Sequence, residues 1–263
     1  MARENTFILF GRLEDAPVVL FNEESKTYRL TFILKTIRRS GRVDFPKVNI
    51  YGLDEKTAKL YVSKLIPGVY VEVRGMVFTK MIKKPVHCEK CGEISMVNTL
   101  QCEIISYGNP FVLKEEVDPV DIVEFANAGT LIGSVCTDVV RKGNATGGTV
   151  AQFQLAVNRR YRVYELEKGS RTDYPWIKAI GPIAEECLKR LRKSSQVFIA
   201  GAYQTRDVKR HVRCNHCGEQ IVYSERVGEI LPSGVEFLNE CLFDSQVQHV
   251  DYADYEEKVD EKA

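Results

Sequence analysis

GMVFTKMIKKPVHCEKCGE, from Gly75 to Glu93, and GAYQTRDVKRHVRCNHCGE, from Gly201 to Glu219, are two copies of one pattern. They align without a gap at an offset of 126 residues, and each closes on Cys-x-x-Cys-Gly-Glu. A repeat this long is a duplicated domain rather than a solenoid unit. Each copy begins with the alternating residues of a strand and runs into a turn that presents two thiols.

Outward from this repeat, other matches extend the duplication. Phe32-x-Leu34 with Arg38 and Arg39 matches Phe153-x-Leu155 with Arg159 and Arg160. Asp44-Phe45-Pro46 with Gly52 matches Asp173-Tyr174-Pro175 with Gly181. The offset changes between blocks, which puts the insertions in loops. In the first unit, strands are expected over residues 6–13, 26–39, 42–51, 69–80 and 98–106. A helix over residues 54–65 is capped by Asp54 and carries Leu60, Tyr61 and Leu65 at helical spacing. The second unit repeats the order with strands over 129–135, 149–160, 176–180 and 196–208, a helix over 183–191, and a return strand. Five short strands with a helix between the third and fourth is the order of an OB barrel. The expected architecture is all-β: an OB domain over 1–108 with a finger at 81–97, an acidic linker over 109–127, a second OB domain over 128–250 with a finger at 207–224, and an acidic disordered tail over 251–263.

The 263 residues suit two such domains, and no apolar run reaches the length of a membrane span. The N-terminus shows no apolar signal region, so a soluble, cytoplasmic protein is expected, without a membrane partner. In that compartment paired cysteines read as metal-binding or redox groups rather than disulfides. Net charge is +1, but residues 114–124 and 251–263 each carry −4, so the remainder carries +9. Basic folded units with acidic linker and tail fit a nucleic-acid partner.

The second unit carries the more specific likeness. TVAQFQLAVNR (149–159), WIKAIGPIAEEC (176–187) and SQVFIAGAYQTR (195–206) resemble, in order and spacing, the bacterial single-stranded DNA-binding protein family. The first unit resembles it more weakly, through FGRL (10–13), LTFIL (30–34) and VEVRG (71–75). The resemblance implies sequence-tolerant binding of single-stranded DNA in replication, recombination or repair, and association with the nucleoid. It also implies barrels gathered in fours, which a chain with two reaches as a homodimer. The chain departs from the family in three ways. It ends Asp260-Glu261-Lys262-Ala263 rather than in Pro-Phe, which puts recruitment of replication or repair proteins through the tail in doubt. It carries Cys-x-x-Cys inserts, and it has Asp207 and Val208 where an aromatic often follows the strand-four arginine. It looks like a divergent relative of the kind that phages or plasmids encode.

Sequence-tolerant binding needs cations that follow the phosphates and aromatic faces that stack on bases, at about 1–3 kcal/mol each. Trp176, the one tryptophan, stands near Lys178 and matches a stacking position of that family; the alternative is a core side chain. Lys47 holds the equivalent place in the first unit. Tyr174 and Phe45 are candidates for stacking or for loop packing. Arg38, Arg39, Arg159 and Arg160 end the second strand of each unit, and alternation lets at most one of each pair face a groove. Tyr161 lies in a loop among arginines. Lys80 and Arg206 are equivalent, and Lys209 and Arg210 continue the basic track onto the finger.

Cys88 and Cys91, and Cys214 and Cys217, each supply half of a tetrahedral zinc site. One shared structural zinc clamping the two fingers is expected, within a chain or between subunits. A rival places separate sites on each finger, with Cys102 and His87 joining the first. A redox dithiol is another, although such pairs usually open a helix. Cys102, Cys136, Cys187 and Cys241 read as small buried hydrophobes. No phosphate-binding glycine loop, zincin motif or nucleophile elbow is present, so no enzyme is expected. An RNA-binding barrel or an assembly module remains the alternative.

Overall fold

A computed structural model describes residues 4–38, 40–114, 117–118, 126–143, 148–163, 166 and 171–239. The tail over 251–263, Cys241 and part of the acidic linker lie outside the described residues. Among the described residues no helix is long and apolar enough to cross a membrane.

The first unit contains β1 (Asn5–Leu13), β2 (Val18–Asn22), β3 (Thr27–Ile37), β4 (Val43–Asp44), β5 (Lys47–Leu53), α1 (Glu55–Lys64), β6 (Tyr70–His87) and β7 (Ile94–Ser106). Pairing runs β1–β3–β5–β7–β6 and back to β1, antiparallel except for β5 with β7. Five strands thus close on themselves, with α1 between the third and fourth. The second unit follows the same plan with β9 (Asn127–Val135), β11 (Thr149–Asn158), β13 (Trp176–Ile180), α2 (Pro182–Arg190), β14 (Gln196–Arg213) and β15 (Gln220–Asn239). Its ring is β9–β11–β13–β15–β14 and back to β9, with β13–β15 parallel. Closure removes the free edges that an open sheet would expose.

The local reasons are legible. Asp54 caps α1 by accepting from the Thr57 N–H at 2.8 Å. Ala58, Tyr61 and Leu65 are buried, whereas Leu60, expected on the inner face, is exposed. The strand expected over 42–51 breaks at Phe45-Pro46, because proline has no N–H for a ladder. β2, β10 (Val140–Gly143), β12 (Thr172–Asp173) and β8 (Phe111–Leu113) were not expected from periodicity. β8 pairs with β6, so the segment read as linker begins as a strand of the first unit.

The units join along β1 and β9, antiparallel, in a register centred on Phe7 opposite Gly129. Asn5 opposite Leu131 and Leu9 opposite Asn127 are equivalent pairs, which makes the join a pseudo-twofold. Phe7 lies so close that a Cβ on Gly129 would come 2.3 Å from its ring. Asn5 donates to Val77 O and accepts from Val77 N, at 3.0 and 2.8 Å. Asn127 does the same with Tyr203, at 2.6 and 2.8 Å. One continuous apolar core, including Phe7, Leu9, Leu131, Phe153 and Tyr203, spans both units.

β6–β7 and β14–β15 run past the barrels as two long hairpins, the fingers. They pack together through a small cluster of Val86, Val97, Val212, Ile221 and Tyr223. Thr99 donates to Glu225 across the seam at 2.8 Å, and Lys90 pairs with Glu219 at 2.6 Å.

Candidate nucleic-acid interface and metal centre

The two fingers end in equivalent turns. Cys88 N–H donates to Glu93 O and Gly92 N–H to Cys88 O; Cys214 N–H donates to Glu219 O and Gly218 N–H to Cys214 O. Gly92 and Gly218 take φ of +77° and +72°, the left-handed conformation that a side chain would strain. The turns face each other within one chain. Cys88 Sγ is 3.7 Å from Cys217 Sγ, Cys91 Sγ is 3.7 Å from Cys214 Sγ, and all four sulfurs lie within 4.8 Å of one another. Sulfurs bound tetrahedrally at about 2.3 Å would stand about 3.8 Å apart. The four-cysteine cluster therefore has the shape to hold a metal ion.

Backbone N–H groups of Cys217 and then His216, aimed at Cys214, hold its thiol down at about 6. For Cys91 an N–H from Glu93 is outweighed by burial and the neighbouring sulfurs, which push it up to about 12. One thiol poised to ionise 3.7 Å from another that resists is what a cation would resolve. Cys102 is buried at the root of the finger, where Tyr203 donates its hydroxyl to the Cys102 carbonyl, and burial pushes its thiol up. Among the described residues the sulfurs that gather are those of Cys88, Cys91, Cys214 and Cys217 without Cys102, so the separate-site reading with Cys102 as a ligand is corrected. Cys136 is half-buried rather than a core residue.

The strand faces place the other candidates. On β13, Ile177 and Ala179 point into the barrel, so Trp176 and Lys178 point out; Trp176 is half-buried on the outer face. The core alternative for this tryptophan fails on that alternation. Tyr174 and Phe45 are half-buried at equivalent steps, and each clasps the opposite unit. Tyr174 N–H donates to Thr79 Oγ1 at 2.8 Å, and Phe45 N–H to Thr205 Oγ1 at 2.9 Å. The Phe45 ring is covered by the Arg226 guanidinium at 4.8 Å.

Arg38 and Arg159 spend their charge inside the protein. Arg38 pairs with Asp44 at 2.5 Å and donates to Gln204 at 3.1 Å, and Arg159 pairs with Asp173 at 2.7 Å. Their side chains are only 9% and 8% exposed, and both aspartates are fully buried. Arg159 also lies over the Phe78 ring at 4.9 Å. The assignment of these two arginines to DNA is corrected: a buried carboxylate takes up their charge. Arg160 is exposed and pairs with Glu4 at 3.2 Å. Arg39 lies outside the described residues. Tyr161 rests against Tyr107 of the first unit, ring centres 4.4 Å apart.

Two buried glutamates, missed in the sequence, gather the remaining strand cations. Glu103 holds Lys47 at 2.9 Å, Lys80 at 3.1 Å and the Asn49 amide at 2.8 Å. Glu229 holds Arg206 at 2.6 Å, Lys178 at 3.8 Å and the Gln204 amide at 2.7 Å. Burial pushes Glu103 up, but Lys47 and Lys80 outweigh it and leave its carboxyl below the ordinary range. Glu103 and Glu229 stand at the same offset of 126 as the cysteine turns, which is the signal that could have found them. Along the fingers, Lys209 is exposed, and Arg210 pairs with Glu225 at 2.8 Å.

The single-strand binding protein family model matches residues 126–225, which is the second unit. Two relatives come from Chlorobaculum tepidum. Single-stranded DNA-binding protein 2 is 32% identical over 114 residues, 43% of this chain and 71% of the relative. Single-stranded DNA-binding protein 1 is 35% identical over 80 residues, 30% of this chain and 49% of the relative. Among solved structures, the wild-type single-stranded DNA binding protein from Thermus aquaticus aligns over 94% of this chain and 98% of its own, with TM-score 0.57 and 17% identity. A deletion mutant of that protein (delta 228-252, R190A) aligns with TM-score 0.58 and 18% identity, over 94% and 100%. The structural likeness speaks for the fold of both units, and the likeness in sequence falls where the three quoted blocks lie. This chain belongs to the single-strand binding protein family.

Proposed function

We propose that the protein binds single-stranded DNA with little sequence preference and sheathes it during replication, recombination or repair. The observation that carries this reading is Trp176 turned outward beside Lys178, on a barrel whose sequence belongs to this family. Its aromatic face is available for a base, and the ammonium beside it for a phosphate. Tyr174, Phe45, Tyr161, Lys47, Lys80, Arg160, Arg206, Lys209 and Arg210 form the rest of the contact surface. Because Glu103 and Glu229 share the charge of four of these cations, stacking carries more of the affinity than a bare count of lysine and arginine suggests.

The cysteine cluster is proposed to hold one structural zinc, with Cys88, Cys91, Cys214 and Cys217 as ligands. Four thiolates leave no open position for a substrate, so the ion would fasten the fingers and take no part in chemistry. The protein acts by binding and not by catalysis. The units are proposed as 1–108, extended by the β8 strand, and 128–250 with Asn127 opening its first strand, and two chains would give an assembly of four barrels. A cytoplasmic location at the nucleoid follows from this role, and the acidic tail would be the place for protein partners.

The test is titration of the purified, zinc-replete protein with a thymidine oligomer, read by tryptophan fluorescence and by anisotropy of a labelled strand. Strong quenching and saturable binding at low salt support the reading. No binding in dilute buffer overturns it, and tighter binding to a uridine oligomer moves the assignment to RNA.

A further inference from the structure

A cleft of about 280 Å³ opens on the seam between the units. Arg38, Arg42 and Val43 of the first unit face Lys178, Ile180 and Arg206 of the second across it. Its charge balance follows from the pairs already described. Arg38, Arg42, Lys178 and Arg206 are four cations against the two buried carboxylates of Asp44 and Glu229, so the lining is net positive. These charges are unequally spent. Asp44 occupies Arg38, and Glu229 holds Arg206 through two nitrogens, at 2.6 and 3.2 Å. Lys178 is only loosely held, at 3.8 Å. Arg42 is exposed and has no ion-pair partner among the described residues. Two cations with unused donors, one from each unit, therefore overlook one cleft. Val43 and Ile180 add two exposed apolar side chains, 39% and 41% exposed, where a sugar or base edge needs dry contact.

The position of Arg42 is built rather than incidental. Its carbonyl accepts from the Arg38 N–H at 2.9 Å, which closes the turn between β3 and β4, and Asp44 then ties that turn to Thr205 of the other unit at 2.7 Å. The second unit repeats the closing hydrogen bond, with the Arg159 N–H donating to the Arg171 carbonyl at 2.9 Å.

We propose that this seam cleft is a phosphodiester site, in which Arg42 of the first unit and Lys178 of the second hold one phosphate of the bound strand. The strand is then gripped by both units at once, and the join between barrels is part of the binding surface. This rests on the reading of the protein as a single-strand binder and adds where one phosphate sits.

The experiment compares wild type, Arg42→Ala, Arg42→Lys and Arg213→Ala by anisotropy of a labelled thymidine oligomer across a salt series. A parallel series uses an abasic strand that keeps the sugar–phosphate chain. Arg213 is an exposed cation at the finger tip, so its removal makes the same change in net charge far from the cleft. Arg42→Ala is expected to weaken binding about three- to tenfold and to reduce the salt slope by about 0.7, on both strands, with Arg42→Lys intermediate. Its thermal midpoint stays at the wild-type value, because the side chain makes no internal pair. The assignment is overturned if Arg42→Ala binds within twofold of wild type with an unchanged slope, if Arg213→Ala costs as much, or if the loss disappears on the abasic strand. If wild type itself ignores both strands, the single-strand reading has failed and the cleft falls with it.

Discussion

Asp173 of the second unit accepts a hydrogen bond from the backbone N–H of Thr79 in the first, at 2.8 Å, while its carboxylate pairs with Arg159 of its own unit. Asp44 repeats the arrangement with Thr205 and Arg38. Each unit thus inserts an aspartate into strand four of the other; burial raises both carboxyls, and the Thr205 N–H and Arg38 at Asp44, and Arg159 at Asp173, oppose that rise. The pair of clasps is what holds the β3–β4 turn and its second-unit counterpart against the neighbouring barrel.

Breaking one clasp should be costly. Asp173→Asn leaves Arg159 charged, buried and unpaired, and such changes typically cost about 3–5 kcal/mol. Urea unfolding of this variant and of Asp44→Asn should both show losses of that order. A loss under about 1 kcal/mol for either would mean that the clasp is incidental.

The tight join between units predicts a rescue. Gly129→Ala places a Cβ against the Phe7 ring and should destabilise by about 1–3 kcal/mol. Phe7→Leu in the same chain makes room, so the double variant should recover part of the loss. Additive losses in the double variant would contradict the register at this strand pair.

Metal removal should act on the fingers alone. Zinc content of about one per chain is expected, absent in Cys91→Ser and in Cys214→Ser alike. Chelation should speed amide exchange over the two hairpin tips and leave the barrel strands protected, since the finger cluster of Val86, Val97 and Ile221 is separate from the main core. Unchanged exchange at the tips after metal loss would rule out the clamp.

Trp176→Ala should weaken binding to a thymidine oligomer by about 1–3 kcal/mol, the range for one stacked base. The unfolding midpoint should change little, because the ring is on the outer face of β13 and not in the core. A large loss of stability with unaltered affinity would return this residue to packing.

Stability on the acid side should carry the mark of Glu103. Its carboxyl is held below its ordinary value of 4.5 by Lys47 and Lys80. A depressed folded-state value stabilises fully above the unfolded value, and the contribution is lost as pH falls through the folded one. Asp44 and Asp173 have the opposite sign: burial raises them, so their contribution is greatest below their ordinary value of 3.8 and declines as pH rises through the folded value. The difference between wild type and Glu103→Gln isolates the glutamate. It should be constant near neutrality and shrink below pH 4.5; a difference that grows on acidification would reverse the assignment.

Much of the fold could be read in the chain. The repeated blocks gave two units and Asp54 announced the helix start, whereas the direction of Trp176 waited for the burial pattern of β13. Charge and residue type alone misled at the strand ends. Arg38 and Arg159 look like free cations because Asp44 and Asp173 reach them only when the intervening turns close. Glu103 and Glu229 read as ordinary acidic residues on a strand until β5 and β13 bring lysines beside them. Tyr161 meets Tyr107 only across the unit boundary.

The amino-acid sequence by itself determined the duplication, the barrel strands and the pairing of thiols within each turn, because these rest on local periodicity and spacing. Only the tertiary structure decided that the four sulfurs converge within one chain, which cations stay unspent, and that a cleft forms between the units. Those depend on groups far apart in sequence being placed within a few ångströms, and on burial that sets whether a charge is shared internally or left for a partner.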